Sequence, residues 1–284
     1  MELLPTVGVA LLAAATVHPA HTRRLGPADA WQAPVFSDKD RVAVIAALCD
    51  EVTAGSAADP IGGTPERVSG FLSPDRATLY VELLSTTYEE GGVSRHLLVL
   101  GGHAVEDGEI ASSETATTEV HVGVLDFQGG RWILRARGAP LTETGFNGRD
   151  PQVELRRIGD DRHGLEVRSA LWNRGSGQSM VSVYDLGATQ PAELLHVATD
   201  ADDCGWEEKC FRFEGTLAYQ VKPGTALYDV RLDLKGTYRN AAGRVVPIPR
   251  GAPIVFRFSR DSYEPVLASA TRRAFWEAVK SPWD

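Results

Sequence analysis

The sequence predicts a mainly β protein of antiparallel sheets, with an N-terminal helix near residues 38–54 and a short C-terminal helix near residues 269–280. The first observation behind this prediction is a series of short runs in which apolar and polar residues alternate, a period that turns one face of a strand toward a core. The second is the presence of Gly, Asp and Asn between those runs, where hairpin turns need them. No helical segment of about 10–15 residues alternates with the runs, which argues against a parallel α/β sheet. A sandwich, a barrel and a small propeller all fit this pattern, although the chain lacks the internal repeat that propellers usually have.

The clearest strand lies in the segment LYDVRLDLKGTY at residues 227–238. There the apolar residues Tyr228, Val230, Leu232 and Leu234 alternate with charged residues, which predicts one dry face and one solvated face. The segment PIVFRFSR at residues 253–260 repeats the pattern. Hairpin turns are predicted at FQGGRW, GDDRHG, NRGSGQ and RNAAGR, because each offers residues that tolerate a positive φ between runs short enough to pair directly.

Two segments have helical spacing. In residues 38–52 the recurring apolar side chains are those of Val42, Ile45, Cys49 and Val52. In residues 270–280 they are those of Ala270, Phe275 and Val279. Recurrence every three or four residues places such side chains on one side of a helix. A thiol in that position behaves as a small buried hydrophobe, so Cys49 is predicted to be inert.

The N-terminus has features of an export signal. An apolar run from Leu3 to Leu12 precedes three alanines, Ala13 to Ala15, whose small side chains suit cleavage by a signal peptidase. No basic residue precedes the run, which departs from the usual pattern, and Pro5 disfavours a membrane-spanning helix. We therefore expect a signal peptide at residues 1–20 and a periplasmic or secreted protein without stable membrane insertion after processing. A buried N-terminal helix is the alternative.

The rest of the chain is predicted to contain an arm and the first helix at residues 21–63, followed by one antiparallel β domain at residues 64–284. A division into two domains is conceivable in the turn-rich stretch GAPLTETGFNGRDPQ at residues 138–152. Similar strand patterns continue on both sides of that stretch, which favours one continuous domain.

Composition and charge exclude several classes of protein. The 284 residues are 43% hydrophobic and 24% charged, which is typical of a soluble globular chain long enough to bury a sizeable core. The formal net charge of −9 argues against a nucleic-acid-binding protein, because no cationic face would meet the phosphates. The same charge would favour a basic protein partner at long range.

The stretch ATDADDCGWEEKC at residues 198–210 concentrates acids and two cysteines. In an exported protein two cysteines so close together usually pair, which predicts a disulfide between Cys204 and Cys210 that closes a surface loop. An EF-hand is excluded, because the positions that should carry an acid and a glutamate are Cys204 and Phe211. We expect no metal ion and no cofactor. The weaker alternative is an irregular calcium site formed by Asp200, Asp202, Asp203 and Glu207.

Catalytic motifs are largely missing from the sequence. It contains no G-x-S-x-G elbow, no H-E-x-x-H helix, no P-loop and no G-x-G-x-x-G turn after a strand. His103, Glu106 and Asp107 could form an acid–base group, but a hairpin tip with mixed polar residues is the commoner explanation of their spacing. A triad assembled from distant residues stays open.

Two predicted loops carry the aromatic, amide and guanidinium groups that recognition sites use. One includes Phe146, Asn147 and Arg149, and the other includes Trp172, Asn173 and Arg174; Trp206 in the acidic stretch is a further candidate. Together with the missing catalytic motifs, these loops favour a non-catalytic exported binding protein with a protein partner, such as an inhibitor or immunity protein that masks a secreted toxin or hydrolase. The alternative is an envelope hydrolase or carbohydrate-active enzyme that uses scattered carboxylates.

Overall fold

Two sheets, antiparallel apart from one short contact, form the framework of the protein, and the predicted mainly β class is confirmed. The computed structural model describes residues 34–49, 52–59, 66–113, 116–145, 149–173, 176–205, 210–222 and 224–280. The predicted signal peptide at residues 1–20 lies outside this part of the chain. No helix within the described residues is both long and apolar enough to cross a membrane.

The first sheet has seven strands and closes partly on itself. Its strands are β1 (Thr53–Asp59), β2 (Glu66–Leu72), β3 (Thr78–Glu90), β4 (Val93–Glu106), β5 (Glu109–Ile110), β6 (Thr118–Gln128) and β7 (Arg131–Thr144). They lie in the order β3-β2-β1-β5-β4-β6-β7, and β3 also pairs with β4. This extra pairing closes β1 to β5 into a ring around a small apolar cluster that includes Ala57, Leu72, Leu79 and Ile110. Because β1 belongs to the ring, the sheet begins before residue 64, where the sequence placed the start of the β domain.

The second sheet has nine strands and follows the chain almost in order. Its strands are β8 (Gln152–Gly159), β9 (Arg162–Asn173), β10 (Ser176–Asp185), β11 (Ala192–Asp202), β12 (Arg212–Gln220), β13 (Asp229–Arg239), β14 (Val245–Pro247), β15 (Ile254–Ser259) and β16 (Ser262–Pro265). Strands β8 to β13 form a meander, and both β14 and β15 pair with β13. The sheet curls so that β16 approaches β11, and its concave side holds the largest apolar cluster.

The sequence pattern explains the strands and turns of this sheet. In β13 the residues Val230 and Leu232 are buried, as their alternation with charged residues predicts. The predicted turn between β6 and β7 contains Gly129 and Gly130, both at positive φ, which glycine adopts without steric cost. The connection between the two sheets, residues 145–151, lies inside the turn-rich stretch in which the sequence allowed a domain break.

The strands β4 and β6 form the centre of the molecule and are covered on both faces. Between the two sheets, side chains such as Val99 and Val122 pack against Leu165 and Val167 of β9. On the opposite face Leu98, Leu100 and Leu125 pack against helix α1 (Asp38–Cys49). The long uninterrupted burial of these two strands follows from this double covering.

Both predicted helices are present, with corrections to the first. Helix α1 ends at Cys49 and β1 begins at Thr53, so the predicted helix near 38–54 is too long at its C-terminal end. Its buried residues are Val44, Ile45, Leu48 and Cys49, whereas Val42 is 52% exposed. Full burial of a residue such as Ile45 stabilises the packed helix by about 1.5–3 kcal/mol. The C-terminal helix α2 (Ala270–Val279) buries Phe275 and Val279, and the Ser269 hydroxyl caps it by accepting from Arg272 N.

Candidate functional site

A cleft of about 530 Å³ lies at one end of the second sheet, beside the connection between the sheets. Three neighbouring strands and that connection form its walls. Its lining consists of Gly145, Arg149, Asp150, Pro151, Gln152, Arg168, Ser169, Ala170, Ser179, Met180, Thr199 and Asp200. Hydroxyl and charged groups therefore predominate over apolar side chains in the described lining.

The strands β9, β10 and β11 supply one wall because their register aligns three short segments. Ala170 is the partner of Ser179, which in turn is the partner of Asp200 on the next strand. The opposite wall consists of Gly145 and of Arg149, Asp150 and Pro151, from the connection between the sheets. The chain turns back on itself at Gly145, which has φ of 94° and lies so close to Arg149 that an added Cβ would be 2.6 Å from the Arg149 carbonyl oxygen. Only glycine permits this turn without displacement of the backbone.

Buried polar residues of the first sheet hold the connection in place. The Nε2 atom of His103, on β4, lies 2.9 Å from Oδ1 of Asp150. The Thr118 hydroxyl, on β6, donates to the carbonyl oxygen of Arg149 over 3.3 Å. His103 is 3% exposed and Thr118 is fully buried. Asp150 and the backbone of Arg149 are thus held by the buried side chains of His103 and Thr118.

A second buried group holds Arg168 on the opposite wall. The carboxylate of Glu166, which is 1% exposed, accepts from Nε and from the terminal NH2 group of Arg168 at 2.7 and 2.6 Å. Its other oxygen accepts from the hydroxyl of Tyr219, on β12, over 3.0 Å. Burial and the neighbouring Glu166 charge raise the pKa of Tyr219, so the phenol stays a donor. A buried carboxylate is costly unless its bonds are satisfied, and here both oxygens have donors.

The other two charged groups of the cleft, Asp200 and Arg149, have no ionic partner among the described residues. Asp200 accepts from the Thr199 hydroxyl over 3.0 Å, and no cationic side chain of the described residues forms an ion pair with it. None of the described residues forms a hydrogen bond or ion pair with the exposed guanidinium of Arg149. A ligand in the cleft would therefore meet one guanidinium group, that of Arg149, and one carboxylate, that of Asp200, without an ionic partner among the described residues.

The sequence-predicted binding residues stand in different positions with respect to this cleft. Arg149 lines it. The backbone of Trp172 and Asn173 continues β9 beyond Ala170, in register with Gly177 and Ser176. The candidates Phe146, Asn147, Arg174 and Trp206 lie outside the described residues.

The acidic stretch is closed by the predicted disulfide, which joins Cys204 to Cys210. The neighbouring carboxylates have arginine partners: Asp202 with Arg212 at 3.4 Å and Asp203 with Arg239 at 3.2 Å. Among the described residues no group of three His, Cys, Asp or Glu side chains is placed to hold a metal ion. Glu207, the fourth residue of the alternative calcium site, lies outside those residues.

Two triad-like arrangements do not offer an accessible, activated nucleophile, the first because of burial and the second because of its geometry. Near the cleft, the Thr118 hydroxyl is 3.5 Å from Nδ1 of His103, but Thr118 is fully buried. On β10 and β11, the Ser182 hydroxyl and a Glu193 oxygen both approach the same nitrogen of His196, at 2.7 and 3.9 Å. A triad needs the acid and the nucleophile on opposite ring nitrogens.

Sequence reasoning missed Glu166, Asp150 and the position of His103. Glu166 alternates with Leu165 and Val167, a pattern that predicts a solvated side chain. The sequence predicts a hairpin tip at His103, but β4 continues past it to Glu106 and the turn falls at Asp107 and Gly108. Comparison with family models, curated proteins and solved structures finds no match to this chain.

Proposed function

We propose that this protein is an exported binding protein, and that the cleft receives a polypeptide segment of a partner protein. In its specific form the proposal is an inhibitor or immunity protein that masks a secreted toxin or hydrolase in the periplasm or outside the cell. The disulfide is compatible with an oxidising compartment.

One observation carries this proposal: the charged groups of the cleft are held by buried polar side chains. Glu166 fixes Arg168, and His103 fixes Asp150. A binding site gains affinity when its groups are already ordered in the free protein, since less conformational freedom is then lost on association.

The shape and chemistry of the cleft support a polypeptide rather than a flat surface contact. The hydroxyl of Ser179, which lies in register with Asp200, can bond to peptide amides and carbonyls. The frame behind this hydroxyl is a hydrogen-bonded sheet, so the partner would meet a rigid wall.

The test is affinity capture from the producing organism, with wild-type protein and a variant whose cleft is filled. Gln152 is exposed at the start of β8 and lines the cleft, so Gln152→Trp should obstruct it with little effect on folding. Ser262→Trp, at an exposed position of β16, is the matched control. We expect a partner that binds wild-type protein and the control but not Gln152→Trp. Equal capture by all three proteins would contradict the proposal.

A second candidate function is supported by the presence of two carboxylates, Asp150 and Asp200, in the same cleft. Paired carboxylates can act as acid and base or nucleophile in glycoside hydrolysis. If the protein is an envelope hydrolase, the purified chain should release products from peptidoglycan or another glycan, and Asp150→Asn or Asp200→Asn should abolish that turnover. Loss of partner affinity without any turnover would favour binding instead.

A further inference from the structure

The charges in and beneath the cleft do not balance. Its described lining holds two guanidinium groups, Arg149 and Arg168, and two carboxylates, Asp150 and Asp200. Beneath it, Glu166 adds a third carboxylate, which engages two nitrogens of Arg168. Arg156 also lies 3.8 Å from Glu166, but it is paired with Glu154 at 2.6 Å, so these two add no net charge. Asp150 interacts with a histidine rather than with an arginine or lysine, and Asp200 with a hydroxyl. Because Arg168 is paired with Glu166, the lining retains two carboxylates, those of Asp150 and Asp200, and only one guanidinium group, that of Arg149.

The two carboxylates differ from the other acids at this end of the sheet. Asp202 and Asp203 lie close by in the chain, but each has an arginine partner that satisfies its charge within the protein. Asp150 and Asp200 retain an oxygen for which none of the described residues supplies a donor. A complementary ligand would supply donors and positive charge at these oxygens.

From this imbalance, and on the basis of the proposed function, we propose that the cleft recognises a basic side chain, arginine or lysine, of the partner polypeptide, between Asp150 and Asp200. The net charge of −9 would steer such a partner toward the protein from a distance. The exposed Arg149 guanidinium is not fixed by any described residue, so it can turn toward solvent or toward a carbonyl of the bound segment.

The probe for this proposal is a pair of short peptides, acetyl-Gly-Arg-Gly-amide and the same peptide with citrulline in place of arginine. Citrulline keeps the length and shape of the side chain but removes its charge. Each peptide is titrated into ¹⁵N-labelled full-length protein, and the backbone amide shifts of Ser169, Ala170 and Ser179 are followed. We expect saturable shifts with the arginine peptide, and a dissociation constant at least about tenfold higher for the citrulline peptide.

The matched variants are Asp200→Asn and Asp261→Asn. The second removes the same charge from an exposed turn between β15 and β16. Asp200→Asn should weaken binding of the arginine peptide about tenfold, and Asp261→Asn should leave it within about twofold of wild type. Equal binding of the two peptides, equal loss in the two variants, or no shift at the three amides would each overturn the proposal. If Gln152→Trp nevertheless abolishes partner capture, the cleft remains the binding site and only its preference for a basic side chain is wrong.

Discussion

The two ends of strand β4 carry similar sets of charged residues that are arranged in opposite ways. Arg95 lies near one end and His103 near the other, about 26 Å apart along the strand. At the Arg95 end, charged groups of the first sheet form ion pairs and hydrogen bonds with the second sheet and so connect the two sheets. At the His103 end, buried groups hold charged side chains at the wall of a cleft.

The Arg95 end is a network of buried ion pairs, although Nη1 of Arg95 meets Glu90 without forming a hydrogen bond of good geometry. Arg95 lies 2.6 Å from Glu90 and 3.1 Å from Asp126, all three side chains being largely buried. Burial alone would raise the pKa of Glu90, but the hydrogen bonds from His163 and the Arg95 charge bring it below its ordinary value. The backbone N–H of Gly91 donates to Asp161, which joins the hairpin tips of the two sheets.

The difference between the two ends separates a structural role from a recognition role. A buried ion pair whose members satisfy each other fixes the geometry of a fold and has little capacity left for a ligand. At the cleft, Asp200 and Arg149 lie near fixed groups but lack an ionic partner among the described residues. Substitutions at the two ends should therefore affect stability and binding in different proportions.

The largest effect is expected for Arg95→Met. Loss of the guanidinium leaves the buried Glu90 without its cation, and removal of one member of a buried pair costs about 4 kcal/mol of the free energy of unfolding. Partner affinity per folded molecule should not change, because the cleft is at the other end of β4. Urea unfolding measures the first quantity and calorimetric titration the second. Arg131→Met, at an exposed position of β7, is the control, and a loss of affinity in Arg95→Met would undermine the separation of roles.

Glu166→Gln should affect both quantities. Glutamine keeps acceptor and shape but removes the charge that holds Arg168, so we expect a loss of about 2–3 kcal/mol in the free energy of unfolding. Partner affinity should fall as well, because Arg168 is no longer fixed at the cleft. The same unfolding and titration measurements apply. A variant that loses stability but binds normally would show that Arg168 is not positioned for recognition.

Removal of the Cys204–Cys210 disulfide should lower the free energy of unfolding. The Cys204→Ser/Cys210→Ser double variant should lose about 2 kcal/mol, since the short closed loop then gains freedom in the unfolded state. Buried Cys49 is unchanged in this variant. Urea unfolding with and without reductant gives the value, and reductant should have no further effect on the double variant. Equal stability of wild type and double variant would exclude the predicted contribution.

The smallest effect is expected for His96, which directly follows Arg95 on β4. Burial lowers the pKa of His96 to about 4, with Arg41 acting in the same direction, against an ordinary value of 6.5. The unfolded chain therefore binds the proton first, so the stabilisation is complete above pH 6.5 and is lost as pH falls toward 4. Between pH 6.5 and pH 5, where only part of this stabilisation is lost, we expect a loss of about 1.5 kcal/mol. The free energy of unfolding of wild type and of His96→Gln is measured across this pH range. The difference between the two should fall as pH falls, and a difference that does not depend on pH would contradict the prediction.

The sequence predicts local structure better than it predicts the site. Alternation identifies β13, and the spacing of Cys204 and Cys210 identifies their disulfide, because both depend on neighbours in the chain. The cleft depends on contacts between distant segments. Glu166 alternates like a solvent-facing residue, but the curl of the sheet brings Tyr219 from three strands away to cover it. Arg149 and Asp150 are held at the cleft wall because β4 and β6 place His103 and Thr118 next to them.

The most direct test of the cleft as the binding site is hydrogen exchange of the protein with and without its captured partner. Backbone amides that become hydrogen-bonded or covered in a complex exchange more slowly. We predict slower exchange in residues 149–152, 168–170, 179–180 and 199–200, with the hairpin tips around Gly91 and Asp161 unchanged. Protection confined to those hairpin tips, with the cleft segments exchanging as in the free protein, would contradict the account.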